Sequence, residues 1–104
     1  MGRTTLCALT EIEPGTAKRF DVDGHRLALV RIDDDVYVIG DECSHEDYSL
    51  AEGEVFAREK EIECWKHGST FSLESGAAQC LPATAPVPVY QAGVDGDQVW
   101  VELS

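Results

Sequence analysis

The chain has 104 residues, enough for one small domain with a modest hydrophobic core. Twenty acidic residues against eight basic residues give a formal net charge of −12 at pH 7. This charge disfavours binding to nucleic acid or to an anionic membrane surface, because both are themselves negative. It favours attraction to basic protein surfaces, which raises association rates more than final affinity.

We expect no targeting signal at the N-terminus. Met1-Gly2-Arg3-Thr4-Thr5-Leu6 lacks the apolar stretch of a secretory signal peptide, and no apolar run reaches the ~20 residues that span a bilayer. We therefore expect a cytoplasmic protein with no membrane association. No low-complexity stretch, internal repeat or linker rich in Pro, Gly or Ser interrupts the chain, so we expect a single domain over residues 1–104, acting as a monomer.

Short runs of β-forming residues separated by turn residues follow one another along the chain, and no helical period persists for three turns. The predicted strands are Leu6–Leu9, Ala17–Val22, His25–Ile32, Val36–Ile39, Val87–Tyr90 and Gln98–Glu102. Three predicted hairpins turn at Asp23-Gly24, at Asp33-Asp34-Asp35 and at Asp95-Gly96-Asp97. This pattern predicts an all-β protein, an antiparallel β sandwich or barrel.

The middle of the chain, from Asp41 to about Ala85, differs from the rest because its apolar alternation is weaker. Val55–Phe56 and Glu61–Cys64 are predicted to pair as a short hairpin around Arg58-Glu59-Lys60. The segment ends in a run with two prolines, 81–86, which favours a stiff and extended path. We predict a loop-built subdomain over about residues 41–85, carried on the β scaffold.

Both cysteine–histidine pairs of the chain fall in this segment. They are Cys43-Ser44-His45 and Cys64-Trp65-Lys66-His67, and eighteen residues separate His45 from Cys64. Two thiolates and two imidazoles are ligands of the kinds that bind zinc or iron. The sequence therefore predicts a metal centre held by Cys43, His45, Cys64 and His67.

The arrangement of the four ligands bears on which metal they bind. A zinc site of this composition commonly pairs Cys with Cys and His with His, whereas here each loop contributes one of each. The mixed arrangement suits a two-iron centre in which one iron takes both cysteines and the other takes both histidines. A zinc-stabilised interaction module stays open as an alternative at this point.

The C-x-H and C-x2-H loops resemble the signature of Rieske-type ferredoxins. The similarity extends to Asp47-Tyr48-Ser49-Leu50 with Glu52-Gly53, to Gly68-Ser69-Thr70-Phe71 and to Leu81-Pro82-Ala83. It covers essentially the whole chain and is strongest toward the ferredoxin component of bacterial ring-hydroxylating dioxygenases. The resemblance implies a Rieske-like antiparallel β fold with one [2Fe–2S] cluster. It also implies that Cys43 and Cys64 bind one iron and that His45 and His67 bind the other.

The resemblance further implies a soluble one-electron carrier that passes electrons from a flavin-dependent reductase to a terminal oxygenase. We expect no enzymatic activity of the chain itself, because no nucleophile elbow, P-loop or dinucleotide fingerprint is present. A second family member that resembles this chain is the small Rieske subunit of an NAD(P)H nitrite reductase, and this alternative also stays open.

Departures from the family's high-potential branch place the chain among the soluble ferredoxins. That branch carries one more cysteine in each ligand loop, and this chain has Lys66 between Trp65 and His67 instead. A tyrosine of that branch is Phe71 here, although the branch's serine is retained as Ser69. We therefore expect a reduction potential in the lower half of the Rieske range, which spans about −150 to +300 mV.

The remaining candidate residues have simpler expected roles. Cys7 and Cys80 are predicted to be reduced and dispensable thiols, and His25 is predicted to be a solvated surface residue. Lys66 is predicted to be solvated, to tune the cluster or to orient a partner protein. The apolar residues near the ligands are predicted to shield the cluster or to form a docking rim; they are Tyr48, Leu50, Trp65 and Leu81.

Overall fold

A computed structural model of the chain describes residues 3–42, 48–66, 68–79 and 85–103. Within these ranges ten strands form three antiparallel sheets, and two short 3₁₀ turns cover Leu9–Glu11 and Leu50–Glu52. The strands are β1 (Arg3–Ala8), β2 (Thr16–Val22), β3 (His25–Ile32), β4 (Asp35–Gly40), β5 (Val55–Phe56), β6 (Glu61–Glu63), β7 (Thr70–Ser72), β8 (Val89–Tyr90), β9 (Ala92–Asp95) and β10 (Gln98–Glu102). The predicted all-β antiparallel fold is confirmed.

The central sheet has the strand order β2-β3-β4-β8, and two of the predicted hairpins build it. Asp23 and Gly24 connect β2 to β3 with φ angles of 49° and 80°. Positive φ at both central residues is what a type I′ hairpin turn requires, and Asp-Gly is a preferred pair for it. The second hairpin turns at Asp33 and Asp34, because Ile32 pairs with Asp35.

Strand β3 is buried on both faces. Leu27 and Leu29 contact one apolar cluster, while Ala28 and Val30 contact the other, and all four are fully buried. The scaffold core contains the first pair together with Cys7, Ile12, Val38, Val99 and Val101. The site-side core contains the second pair together with Ile32, Ile39, Leu50, Ile62, Cys64, Phe71, Leu73 and Val87. The central sheet therefore lies between the terminal strands and the region that carries the predicted metal ligands.

The terminal sheet has the order β1-β10-β9, and it corrects one prediction. The partner of β10 is β9, with Gln98 opposite Asp95, whereas the predicted partner Val87–Tyr90 was wrong. Val89 and Tyr90 instead extend the central sheet by pairing with β4. Gly93 interrupts the apolar residues of β9. A larger residue does not fit at this position, because a Cβ there would lie 2.8 Å from the Trp100 ring.

The third sheet has the order β5-β6-β7 and falls within residues 41–85. The predicted hairpin around Arg58-Glu59-Lys60 is confirmed, with Val55 opposite Ile62. Strand β7 was not predicted, and it pairs with β6 so that Ile62 lies opposite Phe71. In the part of the chain that the structure describes, no helix has the length and apolar character needed to cross a membrane.

Candidate metal centre

Cys64 directly follows β6 and opens the loop that carries the second pair of predicted ligands. Its backbone N–H donates to the Ser69 carbonyl at 2.7 Å, and the Gly68 N–H donates to the Cys64 carbonyl at 2.9 Å. Gly68 has φ +76°, a left-handed conformation that favours glycine. Because Glu63 pairs with Thr70, the hairpin of β6 and β7 fixes both ends of this loop.

The loop that carries the first pair of predicted ligands is closed at its base by Asp41. The Leu50 N–H donates to the Asp41 carbonyl at 2.6 Å, and Glu42 forms an isolated antiparallel bridge with Ser49. The Asp41 carboxylate is fully buried, and its Oδ1 accepts from the Ser49 hydroxyl at 2.9 Å and from the Ala51 N–H at 2.8 Å. These contacts join the chain on the two sides of residues 43–47.

The sequence predicted Asp41 only as the boundary of the subdomain, and its role in closing the base of the first ligand loop was missed. One sequence feature could have indicated this role. Asp41 follows the apolar strand β4 directly and stands two residues before Cys43. A carboxylate at the end of a buried strand needs partners, because a buried charge is costly unless it is paired.

The segments that flank the two loops pack directly against each other. A Cβ on Gly53 would overlap the Glu63 carbonyl oxygen, so only glycine fits where the first segment meets β6. The Glu63 N–H also donates to the Glu54 carbonyl at 2.9 Å. Leu50 and Cys64 are both fully buried in the site-side core. The contacts hold the first segment against the residue that precedes Cys64.

Apolar residues beside Cys64 divide between the two predicted roles. Leu50 is fully buried, as expected for a residue that shields a cluster from water. Trp65 is 48% exposed, and its ring meets that of Tyr48 edge-to-face with centroids 5.2 Å apart. The Lys66 ammonium lies 5.9 Å from the Tyr48 ring and 6.0 Å from the Trp65 ring. We call Tyr48, Trp65 and Lys66 the aromatic rim.

Of the four predicted ligands, only Cys64 is among the described residues. Cys43, His45 and His67 lie outside them, as do Cys80 and Leu81. In the described ranges alone, no three His, Cys, Asp or Glu side chains form a group that would hold a metal. Cys64 itself fits a cluster ligand, because it is fully buried and opens a tight hydrogen-bonded turn.

Cys7 and His25 lie away from this centre. Cys7 is a free thiol in the scaffold core, and burial, followed by the nearby Glu11 carboxylate, raises its pKa above the ordinary value. His25 begins β3 and is half-buried, with its ring edge-to-face with Tyr90 at 5.8 Å. It is therefore a surface residue with one packed face, not a fully solvated one.

Comparison with known proteins identifies relatives over the full length of the chain. The chain is 34% identical over 103 residues to the 3-phenylpropionate/cinnamic acid dioxygenase ferredoxin subunit of Shigella boydii, covering 99% of this chain and 95% of that protein. The ferredoxin of carbazole 1,9a-dioxygenase from Nocardioides aromaticivorans matches with a TM-score of 0.95 at 36% identity, and the match covers all of both chains.

Two further solved structures bear on partners and on the nitrite reductase alternative. A complex of reduced oxygenase and oxidised ferredoxin in carbazole 1,9a-dioxygenase matches at 33% identity, with a TM-score of 0.87 over 95% of this chain and all of that chain. A nitrite reductase small subunit from Mycobacterium tuberculosis, described as putative and NADH-dependent, matches at 26% identity. Its TM-score is 0.87 over 99% of this chain and 96% of that chain.

The family match agrees with the resemblance seen in the ligand loops. The model of the Rieske [2Fe-2S] domain matches residues 2–91, which include all four predicted ligands. Membership implies one Rieske-type [2Fe–2S] cluster, and it favours iron over the zinc alternative. The buried Cys64, the closed loops around it and this match over most of the chain lead to one assignment: the chain belongs to the Rieske [2Fe-2S] domain family.

Proposed function

We propose that this chain is a one-electron carrier that passes electrons to the terminal oxygenase of a ring-hydroxylating dioxygenase system. The observation that carries the proposal is the full-length match to the ferredoxin of carbazole 1,9a-dioxygenase, at a TM-score of 0.95. The oxygenase–ferredoxin complex of the same kind of system supports the identity of the acceptor. The electron donor is a flavin-dependent reductase, and the chain itself catalyses no reaction on the organic substrate.

In this proposal Cys43 and Cys64 bind one iron, and His45 and His67 bind the other. The position of Cys64 at the start of a tight hairpin loop supports its part in the set. A bound [2Fe–2S] cluster supplies one reversible one-electron step. The residues of the chain exclude water from this centre, since Leu50, Ile62 and Phe71 are fully buried around Cys64.

The aromatic rim is the proposed docking surface for both partners. Trp65 and Tyr48 present an amphipathic aromatic surface next to Cys64, and such residues are enriched at interface anchors. Lys66 adds a positive charge to a chain whose net charge is −12. A partner would contact the rim with apolar side chains and with a carboxylate that pairs with Lys66. Basic residues elsewhere on the partner's surface would attract it to this acidic chain from a distance.

The organisation of the chain follows from the same proposal. Residues 1–104 form one domain that acts as a monomer in the cytoplasm, with a cluster-binding subdomain over about residues 41–85. The β5-β6-β7 sheet within this range supports that division. Its contribution to the site-side core, which it shares with β3, supports a single cooperative domain.

Metal analysis of the purified protein tests the proposal. We expect a red-brown protein with about two irons and two sulfides per chain, and an anisotropic EPR signal on reduction typical of mixed nitrogen and sulfur ligation. His45→Ala and His67→Ala should abolish assembly or leave a labile centre, because each removes an iron ligand. The matched control is His25→Ala, which removes the third histidine of the chain and should leave iron content unchanged. Stoichiometric zinc with no visible absorbance would contradict the proposal.

A nitrite reductase small subunit is the second candidate, favoured by the match to such a subunit at a TM-score of 0.87. The two candidates differ in the acceptor of the electron. Stopped-flow mixing of the reduced protein with an oxygenase of the ring-hydroxylating class should oxidise it rapidly. Oxidation only in the presence of a nitrite reductase large subunit would favour the second candidate.

A further inference from the structure

The buried carboxylate of Asp41, at the base of the first ligand loop, accepts hydrogen bonds at both of its oxygens. Its Oδ1 accepts from Ser49 and Ala51, at 2.9 and 2.8 Å, while its Oδ2 accepts from Arg26 Nε at 3.1 Å. Arg19 Nε lies 3.8 Å from the same Oδ2. Each carboxylate oxygen therefore has partners, as a fully buried charge requires.

These contacts have a specific position in the chain. Asp41 precedes residues 43–47, and its partners Ser49 and Ala51 follow them. The backbone bond from the Leu50 N–H to the Asp41 carbonyl, at 2.6 Å, spans the same gap. These contacts close the base of the loop with Cys43 and His45. Closure lowers the conformational entropy of the loop before a cluster binds, so that less entropy is lost on binding.

The other half of the network fixes this base to the rigid part of the molecule. Arg26 belongs to β3, the strand that is buried on both faces, and Arg19 belongs to the neighbouring strand β2. The Asp41 N–H also donates to the Arg26 carbonyl at 2.9 Å. Asp41 is therefore held through both its backbone and its side chain, and it transmits the position of the central sheet to the loop.

We propose that Asp41, with Arg26 and Ser49, is a positioning residue that holds the loop of Cys43 and His45 in the geometry that retains the cluster. The inference rests on the proposed function, since it needs these two residues as ligands. Outer partners of metal ligands set ligand orientation, and their loss typically costs about 10- to 100-fold in metal affinity. Asp41 acts through the backbone of the loop and touches no iron.

The test compares the rate of iron release to a chelator in the wild-type holoprotein and in matched variants, well below the unfolding midpoint of each. Asp41→Asn should release iron about 10-fold faster or more, and Ser49→Ala should show a smaller acceleration, because it removes one hydrogen bond and no charge. Ser49→Thr keeps the hydroxyl and should restore the wild-type rate. If Asp41→Asn does not fold, the serine pair still decides the question.

The control for a merely structural role is Val101→Ala, which opens a cavity in the scaffold core. It should lower the unfolding midpoint at least as much as Ser49→Ala does, yet release iron at the wild-type rate. Release rates that follow the unfolding midpoints across all variants would overturn the inference, as would wild-type rates in Asp41→Asn and Ser49→Ala. A wild-type protein that takes up no iron overturns the proposed function instead, and the inference with it.

Discussion

Phe71 and Ser69 are fully buried close to Cys64 and differ in whether they can donate a hydrogen bond. Phe71 belongs to the same core as Cys64, and the Ser69 carbonyl accepts from the Cys64 N–H. Only the serine hydroxyl is a donor. Donors near cluster sulfurs stabilise the reduced state, and therefore raise the reduction potential. Adding a donor at position 71 and removing the donor at position 69 should therefore change the reduction potential in opposite directions.

We expect Phe71→Tyr to raise the reduction potential and Ser69→Ala to lower it, as measured by protein-film voltammetry at neutral pH. Phe56→Tyr is the matched control, since it adds the same hydroxyl to the half-buried Phe56 in β5. It should leave the potential unchanged. A wild-type potential above about +200 mV would contradict the placement among soluble ferredoxins, whose expected range is the lower half of the Rieske span.

A second prediction at this scale concerns Cys7. Its thiol is free, buried and raised in pKa by burial, so we expect slow alkylation by iodoacetamide at pH 8 in the folded protein. The raised pKa stabilises the fold fully below the ordinary thiol pKa, and this contribution is lost as pH rises toward and through the folded pKa. Cys7→Ser should retain the full iron content, and it should lack this alkaline loss of stability. Iron loss in Cys7→Ser would show that Cys7 is not a spare thiol.

At the scale of elements, the hairpins of the central sheet were predictable and the distant pairings were not. Asp23-Gly24 and Asp33-Asp34 mark turns between neighbouring strands, and such turns are encoded locally. The pairing of β1 with β10 and of β4 with β8 joins strands that are distant in sequence. It depends on how the core assembles, and local sequence patterns do not indicate it. The four candidate ligands stay a prediction from their spacing, whereas the hydrogen bonds of Asp41 could be found only by knowing that Ser49 and Arg26 surround it.

The contact of Gly53 with β6 leads to a prediction about the join between the two ligand loops. Gly53→Ala places a methyl group on the Glu63 carbonyl, so the segment that ends the first loop must move away from the residue before Cys64. We expect a lower unfolding midpoint together with faster loss of visible absorbance from the cluster. Calorimetry and absorbance decay measure the two effects.

Gly96→Ala is the control for this prediction. Gly96 has φ +67° in the turn between β9 and β10, where an added Cβ meets no atom within 4 Å. The left-handed conformation costs an L-residue roughly 1–2 kcal/mol. This variant should therefore lower the unfolding midpoint without accelerating cluster loss. Equal acceleration in both variants would mean that cluster loss reports only global stability.

At the scale of the whole molecule, charge and exposed aromatic surface act at different ranges. The net charge of −12 acts over a Debye length, about 10 Å at 0.1 M ionic strength. The aromatic rim acts only on contact. Lys66 is exposed in this rim and has no carboxylate partner among the described residues, whereas Arg19, Arg26, Arg31 and Lys60 are all in salt bridges.

We expect Lys66→Glu to slow electron transfer to the oxygenase and to change its dependence on ionic strength, as measured by stopped-flow absorbance. Arg58→Glu is the matched control, because it changes the net charge equally, from −12 to −14, from an exposed position in the turn between β5 and β6. Arg58 precedes β6 and Lys66 follows it, so the strand separates them. Equal effects of the two variants would indicate a long-range charge effect with no local docking at Lys66.

The two tryptophans of the chain lie in different parts of the fold, and this separation makes them independent optical probes. Trp65 is half-exposed beside Cys64, while Trp100 stacks under Arg3 in the terminal sheet, with its ring 3.8 Å from the guanidinium carbon. A coloured cluster absorbs energy from a neighbouring indole, so Trp65 emission should be quenched in the holoprotein and recover as iron leaves. Trp100 emission should instead follow unfolding of the scaffold. Trp65→Phe and Trp100→Phe variants would thus let intrinsic fluorescence alone separate loss of the cofactor from loss of the fold.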